Sequence, residues 1–228
     1  MARSPISRGR FITDVSGEIK ASVGTNTKDE AELYINKEGE WELVPSSKIG
    51  LDIQPISFSA SGKYLYVFDD YTEDKTGLYK LNIEDFSYKK VFSDKKIDVT
   101  HVELTEDGRT AYAIKIDDGY PAYLILNKSI PEGAAFKELL GAFPYSSVNI
   151  TSKTDDGKQM LVAVHSDVNP GTIYIYDFEA KKLEFLYQYH SEFQAKEFAQ
   201  MEPIKFQSSD GLEINGYFTS AKPSEKAK

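Results

Sequence analysis

Cysteine is absent from this sequence of 228 residues, and so are long apolar runs. Disulfide bridges and cysteine-ligated zinc sites are therefore excluded, although an oxidising compartment is not, because a large domain can be stable without disulfides. No apolar run approaches the roughly 18 residues that a membrane-spanning helix needs. The N-terminal stretch MARSPISRGRF also lacks the apolar core of a secretory signal peptide. We therefore expect no membrane partner, and either a cytoplasmic protein or a periplasmic one whose true N-terminus precedes this sequence.

An excess of basic charge is missing too. The chain carries 27 Lys and Arg against 36 Asp and Glu, which gives a formal net charge of −9 and a pI near 5.0. Nucleic acids and anionic membrane surfaces both select basic patches. The charge balance therefore predicts that nucleic acid is not a partner.

The fifteen glycines are never two or four residues apart. The dinucleotide-binding pattern G-x-G-x-x-G and the serine-hydrolase pattern G-x-S-x-G therefore do not occur. Gly211 and Gly216 have the spacing of a phosphate-binding loop, but Tyr217 stands where that loop requires lysine. We predict no catalytic residue and no cofactor for this chain.

Metal-ligating patterns are lacking as well. His101, His165 and His190 are 64 and 25 residues apart, and no H-E-x-x-H pattern occurs. The acidic pairs Asp69-Asp70 and Asp117-Asp118 do not have the D-x-D-x-D-G spacing of a calcium loop. We therefore predict no metal site.

A short turn, in contrast, recurs at a nearly constant interval. Its glycines are 45, 46, 49 and 54 residues apart. Glycine suits this position because a tight hairpin turn needs a positive φ there, and the Asp or Ser residues before it can bond their own backbone. The five copies are DVSG (Asp14–Gly17), SASG (Ser59–Gly62), TEDG (Thr105–Gly108), TDDG (Thr154–Gly157) and SSDG (Ser208–Gly211).

Short strand patterns surround the first four turns in a repeated order. An alternating run follows each turn, a polar loop comes next, and one or two further runs close the unit. About four antiparallel strands in about 45 residues is the period of a β-propeller blade. A β-sandwich also has short strands at regular spacing, but it is not expected to repeat the same turn in each unit. We therefore predict an all-β partial propeller of about four four-stranded blades over residues 10–190.

Two segments carry helix signals. Pro131–Leu140 has proline near its start, alanine and leucine inside, and Gly141 after it, which predicts a short helix inserted into the third blade. Ser191–Met201 also has a helical pattern, with Ser191 as its N-cap. We assign residues 191–203 to a linker.

Residues 204–228 begin with alternating apolar and polar residues on both sides of Asp210-Gly211, which predicts a C-terminal hairpin. Together with the residues before it, the segment reads MEPIKFQSSDGLEINGYFTSAKP. This phrase resembles the junction between propeller and hydrolase domain in the prolyl oligopeptidase family of serine peptidases, which includes acylaminoacyl-peptidases and dipeptidyl-peptidase-like bacterial members. The positions that carry the resemblance are Pro203, Phe206, Ser208, Asp210, Gly211, Ile214, Gly216, Tyr217 and Pro223.

The resemblance extends over nearly the whole chain, since blade segments such as PGTIYIYDFEAKKLEFLY are also similar to the family's. It implies a Ser-Asp-His triad in an α/β-hydrolase domain that lies beyond Lys228, and further blades before the present ones. We therefore expect a fragment, in which residues 204–228 are the first hairpin of that domain. A peptide substrate would then be bound by the missing domain, and this chain would be its non-catalytic propeller portion.

The two acidic pairs follow the same turn in two successive units. Solvated loops are the simplest interpretation. A sharper hypothesis follows from the resemblance: Asp69, Asp70, Asp117 and Asp118 form an acidic rim that faces the hydrolase domain or the peptide entrance, binds the free amine of a peptide and so gates substrate access.

Two other functions stay open. The chain is alternatively a stand-alone β-propeller that binds protein partners, or a closed four-bladed ring with an activity of its own. A propeller cut to four blades also has two open edges, and exposed edges pair. We therefore predict a homodimer that forms through blade edges or through Lys205–Ser220.

Overall fold

A computed structural model of the chain describes residues 3–71, 73–193 and 198–220. Within these ranges the strands form five antiparallel sheets. Four of the sheets are successive blades and the fifth is a hairpin, so the predicted all-β partial propeller with a C-terminal hairpin is confirmed. The chain divides into two compact units, one up to Ile116 and the other from Asp117 onward.

The strands of each blade follow one another along the chain and along the sheet. Blade 1 consists of β1 (Arg10–Thr13), β2 (Ile19–Thr25), β3 (Ala31–Lys37) and β4 (Glu40–Leu43). A 3-10 turn at Ser46–Lys48 leads to blade 2, which consists of β5 (Gln54–Phe58), β6 (Tyr64–Asp69), β7 (Gly77–Asn82) and β8 (Tyr88–Phe92).

Blade 3 consists of β9 (Val99–Leu104), β10 (Ala111–Asp118) and β11 (Tyr120–Ile125), followed by the helix α1 (Pro131–Ala142). Blade 4 consists of β12 (Ser147–Lys153), β13 (Gln159–Ser166), β14 (Asn169–Asp177) and β15 (Lys182–Gln188). The hairpin pairs β16 (Met201–Gln207) with β17 (Glu213–Thr219).

The repeated turn joins the first two strands of each blade and the two strands of the hairpin. All five of its glycines have a positive φ, between 68° and 86°, as the repeat predicted. In three of the blade turns the glycine N–H donates to a carbonyl oxygen three residues earlier at 2.8 Å. The turn is therefore a local feature that the tetrapeptide itself determines.

The core of the first unit lies between the facing sheets of blades 1 and 2. Its largest fully buried aliphatic and aromatic side chains come from the inner strands of both blades, and they belong to one cluster. They are Leu33, Ile35, Phe58, Leu65, Val67, Tyr79 and Leu81.

Arg109 connects blades 1 and 2 with the turn of blade 3. Its Nη2 donates to the Asp14 carbonyl oxygen at 2.8 Å, and its Nη1 donates to the Ser57 hydroxyl at 3.2 Å and to the Thr13 carbonyl oxygen at 3.4 Å. One guanidinium with several donors can satisfy acceptors on separate elements, which lysine cannot do in the same fixed geometry.

The helix α1 stands where the other blades have a fourth strand. It was predicted to end at Leu140 with Gly141 as its stop signal, but it continues to Ala142. Glycine costs a helix about 1 kcal/mol without ending it, and the helix closes only where the N–H of Phe143 bonds to the carbonyl oxygen of Leu140. Phe136 and Leu139 are buried and pack the helix against the rest of the second unit.

The segment that was predicted to be helical between Ser191 and Met201 begins with a turn at Ser191 and Glu192, and residues 194–197 lie outside the described residues. Met201 is not helical. It opens β16, where it pairs with Thr219. The assignment of the segments after residue 190 to a linker and a second domain stays a prediction.

Candidate functional site

The two acidic pairs lie at corresponding ends of blades 2 and 3. Asp69 is the last residue of β6, and Asp118 is the last residue of β10. Because the strands alternate in direction, these ends are opposite the repeated glycine turn of each blade. The two pairs belong to different units and have different surroundings.

Asp69 is fully buried, so it is not part of an exposed rim. Its carboxylate oxygens accept the N–H of Gly50 at 3.0 and 3.1 Å and the N–H of Asp70 at 2.9 Å. The hydroxyl of Tyr88 also donates to this carboxylate. Asp69 therefore connects the loop before β5 with β6 and β8, which is a structural role.

The pKa values of both partners are raised. Burial raises the pKa of Asp69 because it disfavours the charged form, and the bonds from Tyr88, Gly50 and Asp70 act in the opposite direction. Burial also raises the pKa of Tyr88, and its bond to the Asp69 carboxylate adds to this.

Asp70 is half-buried and accepts the N–H of Leu51 at 2.9 Å. The preceding Gly50 lies against both carboxylates, and a Cβ placed there would collide with Asp69, Asp70 and the backbone of Tyr71. Glycine is therefore required for the close approach of this loop to the end of β6.

Asp117 and Asp118 are exposed, in contrast to Asp69. The carboxylate of Asp118 lies 3.9 Å from the ammonium of Lys205 on the hairpin, and Lys205 also lies 3.7 Å from Glu213. Because both side chains of the Asp118–Lys205 pair are more than half exposed, the pair orients the hairpin more than it stabilises it.

Two further contacts join the hairpin to the same unit. Gly119 has a φ of +82°, and a Cβ placed on it would lie 2.8 Å from the Cβ of Pro203. After β13, the carboxylate of Asp167 accepts the N–H of Met201 at 2.7 Å. The loop after β10 and the loop after β13 therefore both contact β16.

The hairpin has two chemically different faces. The strand register places Pro203 and Lys205 on the face that meets Asp118 and Gly119. The opposite face carries Glu202 and a group of apolar side chains, of which Phe206 is 52% and Phe218 is 54% exposed. The apolar side chains of that face are Ile204, Phe206, Ile214 and Phe218, around Gly216.

Among the described residues, no group of three or more His, Cys, Asp or Glu is arranged to hold a metal ion. His101 and His190 instead lie near Glu103 and Glu192, at 3.5 and 3.3 Å. In the same part of the chain, no helix is both long and apolar enough to cross a membrane.

The fold is that of the propeller portion of prolyl oligopeptidase-type peptidases. A structure from a study of two prolyl endopeptidases superposes with a TM-score of 0.59 at 13% identity, over 94% of this chain and 31% of that chain. Prolyl oligopeptidase B from Galerina marginata gives 0.56 at 14% identity, over 90% and 30%. A puromycin-hydrolysing peptidase from Mycobacterium tuberculosis gives 0.53 at 12% identity, over 87% and 29%.

The likeness is one of fold, and the chain spans about a third of the length of these proteins. At the level of sequence, no protein-family model and no curated protein matches the chain. The likeness reaches past the blades, since residues 1–190 make up about 83% of the chain and a match over 94% must include later residues. The propeller fold that the resemblance implied is therefore confirmed, and the assignment of residues 204–228 to a hydrolase domain stays a prediction.

The sequence interpretation missed Asp167, Gly119 and Lys205 as contact residues. It had no local signal for them, because each acts through an element distant in the chain. The burial of Asp69 did have a signal. Asp69, Val67 and Leu65 are two residues apart along β6 and so share one face of the strand, and the two apolar residues predict that this face is buried.

Proposed function

We propose that this chain is the non-catalytic propeller portion of a serine peptidase and that it gates the access of peptides to an α/β-hydrolase domain outside this sequence. The observation that carries the proposal is the fold shared with prolyl endopeptidases over 94% of this chain and only 31% of theirs. The remaining two thirds of such a protein provide room for a serine nucleophile. Its usual motif, G-x-S-x-G, does not occur in this chain.

The hairpin supports the same proposal. A two-stranded sheet is marginal in water unless it packs on further structure, and one face of β16 and β17 exposes Ile204, Phe206 and Phe218. In the proposed peptidase, this face packs inside the hydrolase domain.

The gating proposal now rests on the exposed acidic residues. Asp69 is excluded because it is buried and its carboxylate holds the loop at Gly50. Asp70, Asp117 and Asp118 remain, at the blade ends opposite the repeated turns.

The gating proposal predicts a selective kinetic change in the full-length peptidase. Replacing Asp70, Asp117 and Asp118 by Asn is expected to raise KM several-fold for peptides with a free N-terminus, because a cationic amine loses its carboxylate partners. Peptides with an acetylated N-terminus are the control, and their KM should not change. Equal KM values for wild type and variant with free-amine peptides would refute gating by these residues.

A stand-alone module that binds protein partners is the second candidate. It is favoured by β15, an edge strand on which Phe185, Leu186 and Tyr187 are exposed by 63%, 49% and 54%. Reading the coding sequence past Lys228 separates the two candidates. An H-G-G stretch and then G-x-S-x-G within about 130 residues supports the peptidase, whereas a stop codon directly after Lys228 supports the module.

A further inference from the structure

The contacts of β16 lie on two loops that belong to different blades. One is the β10–β11 turn, with Asp118 and Gly119, and the other follows β13, with Asp167. We propose that Asp118, Gly119 and Asp167 form a binding site for the hairpin, here called the hairpin seat, that holds β16 at Met201, Pro203 and Lys205 and fixes how the domain that begins with the hairpin is attached to the propeller.

Gly119 provides the steric part of the hairpin seat. The turn between β10 and β11 contains this one residue between Asp118 and Tyr120, and its φ of +82° favours glycine. Any side chain at this position would also meet Pro203, whose Cβ lies 2.8 Å from the site of the added atom. The hairpin can therefore approach this turn closely only because residue 119 has no side chain.

Asp167 provides the polar part. Its carboxylate accepts the N–H of Met201, the first residue of β16, at 2.7 Å. A hydrogen bond to an ionised acceptor is stronger than a neutral one. This bond fixes the point where the chain enters the hairpin.

Asp118 adds an electrostatic contact with Lys205, two residues beyond Pro203. Pro203 and Lys205 contact the hairpin seat from one face of β16, because side chains two residues apart share a face. Met201 contacts it through its backbone N–H at the start of the strand. The hairpin is marginal by itself, so we infer that the hairpin seat keeps it ordered in this chain. Where the proposed function holds, on which this last step rests, the hairpin seat fixes where the hydrolase domain begins relative to blades 3 and 4.

A matched pair of glycine variants tests the hairpin seat in the 228-residue chain. Gly119→Ala is expected to increase hydrogen–deuterium exchange at least tenfold in peptides that cover residues 198–207, measured by mass spectrometry. Gly108→Ala is the control, because Gly108 has a similar φ of +71° in the same blade but no atom within 4 Å of an added Cβ. Equal exchange of the hairpin in the two variants overturns the proposal.

A second pair keeps the test independent of strain at Gly119. Asp167→Ala removes the acceptor for Met201, whereas Asp167→Asn retains an acceptor oxygen. The alanine variant should increase exchange at residues 198–207 several-fold, and the asparagine variant, which keeps a weaker neutral acceptor, should increase it less. Equal effects in the two variants, or none, contradict the proposal.

Exchange in blade 1, residues 10–43, reports whether each variant is folded. None of these measurements depends on peptidase activity. A stop codon directly after Lys228 would refute the proposed function but not the hairpin seat. Unchanged hairpin exchange in the variants would refute the hairpin seat but not the proposed function.

Discussion

Asp69 lies on the buried face of β6 with Leu65 and Val67, and all three side chains are inaccessible to solvent. The backbone amides of Gly50 and Asp70 and the hydroxyl of Tyr88 replace the water that the carboxylate has lost. The pKa of Asp69 is nevertheless raised by burial, so these donors offset only part of the desolvation. The loop before β5 therefore depends on a carboxylate that titrates above its usual range.

Asp69→Asn is expected to change how stability depends on pH. Because the pKa of Asp69 is raised by folding, the native state binds this proton more tightly than the unfolded chain does. The stabilisation is fully present below the unfolded pKa of about 3.9 and is lost as the pH rises through the folded value. The unfolding free energy of wild type minus that of the variant should therefore decrease as the pH rises from about 4, as measured by urea denaturation.

Asp85→Asn is the control for this measurement. Asp85 is exposed, and its bond from the Ser87 hydroxyl lowers its pKa. It is therefore ionised in the folded and the unfolded chain above about pH 5, and the difference from wild type should be flat there. A flat difference for Asp69→Asn as well would show that the raised pKa does not contribute to stability.

Among the elements, β11 and α1 give blade 3 its unusual form. The ring of Tyr123 on β11 packs edge-on against Phe136 of the helix, with the ring centroids 5.4 Å apart. The hydroxyl of Tyr123 accepts the N–H of Val148 at 2.7 Å and lies 2.9 Å from the Val148 carbonyl oxygen, to which it donates. One tyrosine therefore connects β11, α1 and β12.

Tyr123→Phe is expected to lower the unfolding free energy by about 1–3 kcal/mol, because it leaves the two backbone groups of Val148 without their partner. Guanidinium denaturation followed by circular dichroism measures the loss. Tyr120→Phe is the matched control, since the ring of Tyr120 is 42% exposed and contacts Tyr145. Its effect should stay within about 0.5 kcal/mol, and equal losses in the two variants would contradict a role for the Tyr123 hydroxyl.

The sequence predicts elements better than it predicts contacts. The five turn glycines, the blade order and the start of α1 at Pro131 follow from local patterns. The end of α1 does not, because Gly141 is tolerated within the helix. Met201 was assigned to a helical linker, but its pairing with Thr219 decides its conformation.

The candidate site was predictable only in part. The positions of Asp69 and Asp118 at strand ends follow from the repeat, and the alternation along β6 indicates which carboxylate is buried. The contact of Asp118 with Lys205 joins residues far apart in the chain, so no local pattern contains it. The bond between Asp167 and Met201 is hidden for the same reason.

For the whole molecule, the open apolar face of the hairpin predicts association. Exposed sheet edges and apolar faces pair with other chains, and Phe206 and Phe218 are both more than half exposed. We expect this chain to form a homodimer through Lys205–Ser220 or through blade edges, as measured by light scattering at increasing concentration.

Replacing Phe206 and Phe218 by Ser should weaken the dimer if the hairpin mediates it. Leu51→Ser is the control, because Leu51 is 87% exposed in the loop before β5 and lies outside the hairpin. A strict monomer at high protein concentration would contradict the predicted dimer.

Arg109 sets an order of events during synthesis. Its guanidinium bonds to Thr13, Asp14 and Ser57, which all leave the ribosome before it. At about 5–20 residues per second, translation takes roughly 5–20 s to proceed from residue 13 to residue 109. Blades 1 and 2 therefore emerge and begin to pack without the cation that later joins them, and the first unit reaches its final form only when the third turn has been translated.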